Sequence, residues 1–207
     1  MKLKDANTEV RIMEAAKVVF MKYGLYGARM QDIADTAGIN KALLHYYFRN
    51  KEKLFDQVFD GALSKYFEQM EVIHDESLPI LDRVLIYVDQ IMDFLSEYPQ
   101  MSMFIIKEIS INEAMFKEKV HKIKRNKNGN ILSILEKGKK NGSIPEIDSV
   151  LFLIHLHSLC TYPFLAAPIF KVITENSKVA FNDSGNIKLK QSVKDYVINT
   201  LTIKTNS

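Results

Sequence analysis

One short stretch, Asn40-Lys41-Ala42-Leu43-Leu44-His45-Tyr46-Tyr47-Phe48, alternates amide, ammonium, imidazole and phenol groups with aliphatic residues. At helical spacing Leu44 and Phe48 share the inner side, while Asn40, Lys41, Ala42, His45 and Tyr46 face outwards. Side chains of these types bond base edges and phosphates, so the chemistry they suggest is nucleic-acid contact. A helix starting after Asn40 also aims free N–H groups and a positive dipole end at whatever docks there. Catalytic chemistry finds far less material. The chain holds five histidines and one cysteine. No Ser/His/Asp or Cys/His arrangement, metal-ligand spacing or glycine-rich phosphate loop is present, so neither an enzyme nor a cofactor is expected. His155 and His157, two apart, lie about 200° apart on a helix and cannot jointly hold a metal.

The elements that must position this stretch are short helices separated by glycines. The first is expected over about Thr8–Tyr23, where Ile12, Ala16, Val19, Phe20 and Tyr23 form one apolar stripe. Asn7 or Thr8 would cap it and Gly24 would end it. A second helix should run from about Met30 to Ala37, with Ile33, Ala34 and Ala37 on one face. Gly38 follows where a left-handed residue is usual, Ile39 reads as buried, and Asn40 caps a third helix over Lys41–Tyr47. Asn50 caps a fourth, running from Lys51 to about His74. Two short helices joined by a tight glycine turn, behind a longer support helix, make a helix-turn-helix. Ile33, Ala34, Ile39, Leu44 and Phe48 are its expected core.

This stretch resembles the TetR (tetracycline repressor) family of transcription regulators. The resemblance rests on Arg11-Ile12-Met13-Glu14-Ala15-Ala16, on Phe20 to Gly24 and on Asp32-Ile33-Ala34. It continues through Ala37-Gly38-Ile39-Asn40-Lys41, Leu44-His45-Tyr46-Tyr47-Phe48 and Lys51-Glu52-Lys53-Leu54. It covers residues 8–55. It implies that residues 40–46 enter the major groove of double-stranded DNA at a palindromic operator, and that Lys51 meets phosphate. Two positions depart from the family pattern. Arg29 stands where a capping, phosphate-touching threonine is usual, and His45 where a tyrosine often reaches the backbone. Arginine cannot cap in that way, but both side chains can still donate to phosphate.

The division expected is a DNA-binding domain over 1–50 and an effector-binding and dimerisation domain over 51–207, with helix 51–74 connecting them. Beyond residue 74, helices are expected at about 79–97, 99–110, 112–140 (weakened at Gly129), 148–162 and 187–203. Pro163 and Pro168 should interrupt the fourth of these, and 174–186 should be a polar loop. The fold class is therefore all-α, with about nine helices. The 148–162 segment is apolar nearly all round and needs more than one partner face. The resemblance implies a homodimer formed through the last two helices and a small effector held in the larger domain. Met103, Phe104, His155 and Tyr162 are candidate effector contacts, among soft and aromatic residues that suit apolar ligands. Cys160 reads as a small core hydrophobe. The basic cluster Lys122, Lys124, Arg125 and Lys127 reads as the exposed face of a long helix.

Composition agrees and excludes other classes. With 47% hydrophobic and 26% charged residues, the balance is that of an ordinary globular chain. One cysteine allows no intramolecular disulfide and no Cys-rich zinc site. No apolar run approaches the ~20 residues of a membrane span, and the first residues lack a signal peptide's apolar core. The expectation is a soluble cytoplasmic protein. The net charge of +3 is uneven along the chain. Residues 1–55 carry ten Lys/Arg against six acids, and the remainder is slightly negative. The positive excess thus coincides with the helix-turn-helix. A regulator controlled by a partner protein and a helical enzyme are the competing readings.

Overall fold

The computed structural model describes residues 2–124, 131–173 and 183–203. Among them every regular element is helical. In chain order these are α1 (Lys2–Gly27), α2 (Met30–Ala37), α3 (Lys41–Tyr47) and α4 (Lys51–Glu68), then a 3-10 turn at Glu71–His74. There follow α5 (Ile80–Glu97), α6 (Gln100–Ile111), α7 (Glu113–Lys124), α8 (Ile131–Lys140), α9 (Ser149–Leu165), α10 (Ala167–Ile173) and α11 (Asp183–Leu201). Eleven α-helices thus replace the nine expected. No single helix among the described residues is long and apolar enough to cross a membrane.

Glycine, proline and capping residues set most boundaries where expected. α2 and α3 have the bounds read from the sequence, and Pro79 occupies the N-cap position of α5. Four boundaries differ. α1 begins at Lys2, so Asn7 and Thr8 lie inside it and do not cap it; no glycine or proline between Lys2 and Thr8 stops the helix. α4 ends at Glu68 and the chain tightens into the 3-10 turn, a break that no glycine or proline announces. α9 runs through Pro163 to Leu165. Its prolyl nitrogen cannot bond the Leu159 carbonyl, but the loss is limited to one backbone bond in a helix packed against α5, α8 and α11. α11 starts at Asp183, inside the segment read as a loop; positions 174–182 of that segment lie outside the described residues, as do Gly129, Arg125 and Lys127.

The helices form two compact units. One comprises the residues up to Lys65 together with Met103–His121; the other comprises Tyr66–Ser102 and the chain from Lys122 onwards. The core of the first unit is a file of interlocked aromatic rings. Phe20 of α1 meets Phe55 of α4 edge-on at 5.1 Å. Phe55 stacks on Phe59, and Phe104 of α6 lies 6.0 and 5.6 Å from those two rings. Ile12, Ile33, Leu44 and Leu54 close around the file with no exposed surface. Burying each such side chain contributes on the order of 1.5–3 kcal/mol. On its flank Lys119 pairs with Asp60 at 2.6 Å.

In the second unit α5 is the central helix, packed by α8, α9 and α11. Tyr87, Val88, Ile91 and Leu95 are buried along it, against Phe152, Leu156 and Cys160 of α9 and Val193 and Val197 of α11. Ion pairs line its outer side: Lys190 to Asp93 at 2.6 Å and Lys194 to Asp89 at 2.5 Å. Cys160 is fully buried, and burial pushes its thiol up to about 12, in keeping with a core hydrophobe.

α1 loses helical geometry at Gly24, whose φ of 68° lies in the left-handed region. A Cβ there would come within 2.8 Å of Glu108 Oε1 on α6. Glu108 is itself buried, and that oxygen has no hydrogen-bond partner. Burial raises its carboxyl above the ordinary value, against the pull of the Leu25 N–H and the Lys107 ammonium. A carboxyl whose native pKa is raised stabilises the fold only where it is protonated, and that contribution is lost as pH rises through the native pKa. Glu108→Gln should therefore melt at a higher temperature than the parent at pH 7. Thermal unfolding across pH should show the difference shrinking as pH falls through the raised pKa and vanishing below the ordinary glutamate range; an unchanged or lower melting point at neutral pH would contradict the buried-charge account.

Candidate nucleic-acid interface

The outward face expected on α3 is present. Leu44 is fully buried and Phe48 nearly so, which fixes the rotation of this seven-residue helix. Asn40, Lys41, Ala42, His45 and Tyr46 are then all exposed. Tyr46 is 77% exposed, its ring meeting Tyr47 edge-on at 5.4 Å. Asn40 Oδ1 accepts the Leu43 N–H at 2.8 Å, so the residue is the expected cap. Its amide nitrogen remains available, so capping and an outward contact are compatible. Of the expected core, Ile33 and Ala34 are fully buried, whereas Ile39 is only half-buried in the turn.

The turn between α2 and α3 is a closed hydrogen-bonded unit. Gly38 adopts the left-handed conformation (φ 64°, ψ 38°), its N–H bonding Asp35 O at 3.1 Å and that of Ile39 bonding Ala34 O at 3.0 Å. This is the Schellman arrangement, which satisfies two of the carbonyls a helix leaves free at its end. A third is taken from outside. Arg11 of α1 donates from Nη2 to Ala37 O at 2.6 Å and reaches Gly38 O at 3.4 Å. The guanidinium also puts positive charge against the negative end of the α2 dipole. Arg11 was not among the site residues read from the sequence as contacts. It stands 26 positions from its partner, and no local pattern signals a cap from that distance.

The two phosphate candidates differ in setting. Arg29 occupies the N-cap position of α2 in extended conformation and makes no side-chain cap, so its guanidinium is exposed and the first-turn N–H groups stay open. Lys51, at the start of α4, is half-buried and donates from Nζ to Ala28 O at 3.1 Å, which ties α4 to the segment between α1 and α2. Two of its three N–H groups remain for an anion. Asn50 accepts from the Glu52 and Lys53 N–H groups, as a cap for α4 should.

The four effector candidates do not share a unit. Met103 and Phe104 lie in the first, where Met103 is exposed and Phe104 is part of the aromatic file. His155 and Tyr162 lie in the second and are both exposed. His155 Nδ1 pairs with Tyr196 Oη of α11 at 3.3 Å, and Tyr162 meets Phe170 edge-on. The neighbouring His157 is exposed too, and its Nε2 lies 3.2 Å from Tyr66 Oη. Among the described residues no group of three or more His, Cys, Asp or Glu could hold a metal ion.

Known proteins agree with this geometry. Residues 12–58 match the profile of the bacterial regulatory proteins of the tetR family. The HTH-type transcriptional regulator YhgD of Bacillus subtilis is 29% identical over 141 residues, covering 68% of this chain and 73% of its own. The HTH-type transcriptional regulator RutR of Escherichia coli K12 is 30% identical over 98 residues, 47% of this chain and 46% of its own. A crystal structure of the transcriptional regulator SCO4942 from Streptomyces coelicolor superposes with a TM-score of 0.69 at 20% identity. That match covers 94% of this chain and 98% of the other, and it shows a common fold.

A charge-assisted bond to a helix-terminal carbonyl contributes about 1.5–3 kcal/mol. Arg11→Ala should therefore lower unfolding stability by about that amount in a denaturant titration, while Arg11→Lys, which keeps one donor, loses less. Equal stability of all three proteins would remove Arg11 from the account of the turn.

Proposed function

We propose that the chain is a helix-turn-helix transcriptional regulator of the TetR kind, whose profile residues 12–58 match, and that it works as a homodimeric repressor released from its operator by a small effector. The observation that carries this reading is the exposed face of α3, from Asn40 to Tyr46, held from behind by the Leu44 core, the Arg11 cap and the Lys51 tie. A helix held in this way can enter a major groove without losing much further freedom. In the complex, Lys41, Ala42, His45 and Tyr46 read base edges and Asn40 contributes its amide. Arg29, the open N–H groups of α2 and Lys51 meet phosphates on either side.

Support for the dimer comes from α9 and α11. One side of α9 is buried within the chain, but Leu151, Ile154 and Tyr162 on the other side are each about half exposed or more. Ile198 of α11 is exposed as well. An apolar surface of this kind is uncommon on a lone soluble domain and suits a two-fold interface of paired helices. Two reading heads related by that axis fit half-sites one helical turn apart. An effector that binds one arrangement of the dimer better shifts the population towards it and changes the fit to the operator.

The protein should bind a near-palindrome in the DNA upstream of its own gene, with affinity falling steeply as salt rises. Arg29→Ala should weaken that binding about tenfold and flatten the log–log salt slope by about one, because its guanidinium neutralises a phosphate. Absence of binding to any such fragment at low salt would defeat the reading. Leu151→Glu combined with Ile154→Glu should convert the dimer to monomer in sedimentation and reduce operator affinity, leaving helical content unchanged. A double variant that sedimented like the parent would move the interface elsewhere.

A further inference from the structure

The end of α1 and the start of α2 hang between two outside contacts, both within the first unit. Gly24 breaks α1 with φ 68° and ψ −177°, and Arg29 stands at the N-cap position of α2. Between them the Ala28 N–H bonds Gly24 O at 3.2 Å. Ala28 O accepts from Lys51 Nζ of α4 at 3.1 Å, which is the first outside contact. The second is Glu108 of α6, whose carboxyl receives the Leu25 N–H. The segment held in this way ends on the groups assigned to phosphate, the Arg29 guanidinium and the open N–H groups of α2.

Glu108 is 3% exposed, and its Oε1 has no hydrogen-bond partner. That oxygen would lie 2.8 Å from a Cβ on Gly24, and Lys107 Nζ 3.3 Å from the same point. The carboxyl thus occupies the face of Gly24 that any other residue would fill with its side chain. A protonated carboxyl can stay there, since a buried neutral oxygen without a partner costs far less than a charged one. An ionised carboxyl must draw in water or the Lys107 ammonium, or swing out. Each of these movements displaces Gly24. The other charges around it are engaged. On α1, Lys22 lies over the Tyr23 ring. On α4, Lys51 holds Ala28 O, and Asp56 and Asp60 face Lys119 of α7. Lys107, exposed on the same helix as Glu108, is the charge that acts on it.

We propose that Glu108 is a positioning residue for the phosphate contacts, and that it holds its position only while it carries its proton. The neutral carboxyl packed against Gly24 keeps the 24–29 segment on α6, and so sets where Arg29 and the N-terminus of α2 meet DNA. Loss of the proton frees the segment. The form that binds DNA better is the one that holds the proton. Affinity therefore falls as pH rises through the titration of Glu108 and levels off above it. That the movement reaches DNA rests on the reading of Arg29 as a phosphate contact; the hold of Glu108 on Gly24 does not.

The test uses the full chain, isotope-labelled, with amide signals followed by NMR from about pH 5 to about pH 8. The signals of Gly24, Leu25, Ala28 and Arg29 should move together, with a midpoint above the ordinary glutamate range. In Glu108→Gln, neutral throughout, they should stay at their low-pH positions. In Lys107→Gln, which removes the cation that favours ionisation, the midpoint should rise. Signals that stay still in the parent, titrate equally in Glu108→Gln, or keep or lower their midpoint in Lys107→Gln overturn the proposal. DNA binding is read alongside, at fixed salt, with a fragment from upstream of the chain's own gene. Over the same range the parent should lose about tenfold more affinity than Glu108→Gln, the factor for a midpoint displaced by about one pH unit. Any titration of His45 is common to both proteins and cancels. Equal losses would overturn the positioning role. A chain that bound the fragment at no pH would defeat the DNA reading and with it the link to Arg29, whereas amides that titrated as expected would leave the hold on Gly24 standing.

Discussion

The reading head depends on how the carbonyls at the end of α2 are satisfied. A helix that stops leaves its last carbonyl groups without partners, and the next helix can be aimed only if those groups are engaged in one defined way. Gly38 turns left-handed so that two N–H groups fold back onto Ala34 and Asp35, and the Arg11 guanidinium bonds the carbonyl of Ala37. Once these bonds are made, the direction of α3 is set. Burial of Leu44 then fixes its rotation, and the exposed faces of Lys41, His45 and Tyr46 follow from that rotation. The long support helix is thus more than a packing surface, because it supplies the donor that the turn itself lacks.

The parts of this arrangement legible in the sequence are those governed by local chemistry. Gly38 and Asn40 are residues whose backbone and side-chain preferences act over three or four positions, so α2 and α3 emerge with their observed bounds. The same is true of Pro79 ahead of α5. The errors arise where the deciding interaction is distant or cooperative. Nothing near Glu68 announces the end of α4. Pro163 suggests a break but stands within α9, because packing on three neighbouring helices outweighs one missing backbone bond. Arg11 acts across 26 positions. The two histidines of α9 make the point at one site. Spacing shows that they face different ways but not which of them faces Tyr66; that depends on the rotation of α9 against α5, which only the fold sets.

Charge and polarity are distributed differently in the two units. The first unit carries exposed cations near helix N-termini, where anions are attracted. The second holds its ionic groups in pairs along α5 and α11 and keeps uncharged hydrogen-bonding groups around the Tyr66–His157 pair. Lysine therefore has two uses in one chain. Lys41 of α3 is open to solvent and Lys51 of α4 is partly engaged, whereas Lys190 and Lys194 of α11 neutralise aspartates.

The lone cysteine has a practical consequence of a different sort. Cys160 has no accessible surface, and its thiol, pushed up to about 12, holds almost no thiolate at neutral pH. Thiol-directed dyes and spin labels should leave the native chain untouched. A cysteine introduced on any exposed helix would then be the sole reactive position, with no need to remove the natural one. Pairs of such labels, one per subunit of the proposed dimer, would turn the separation of the two reading heads into a distance that can be followed in solution.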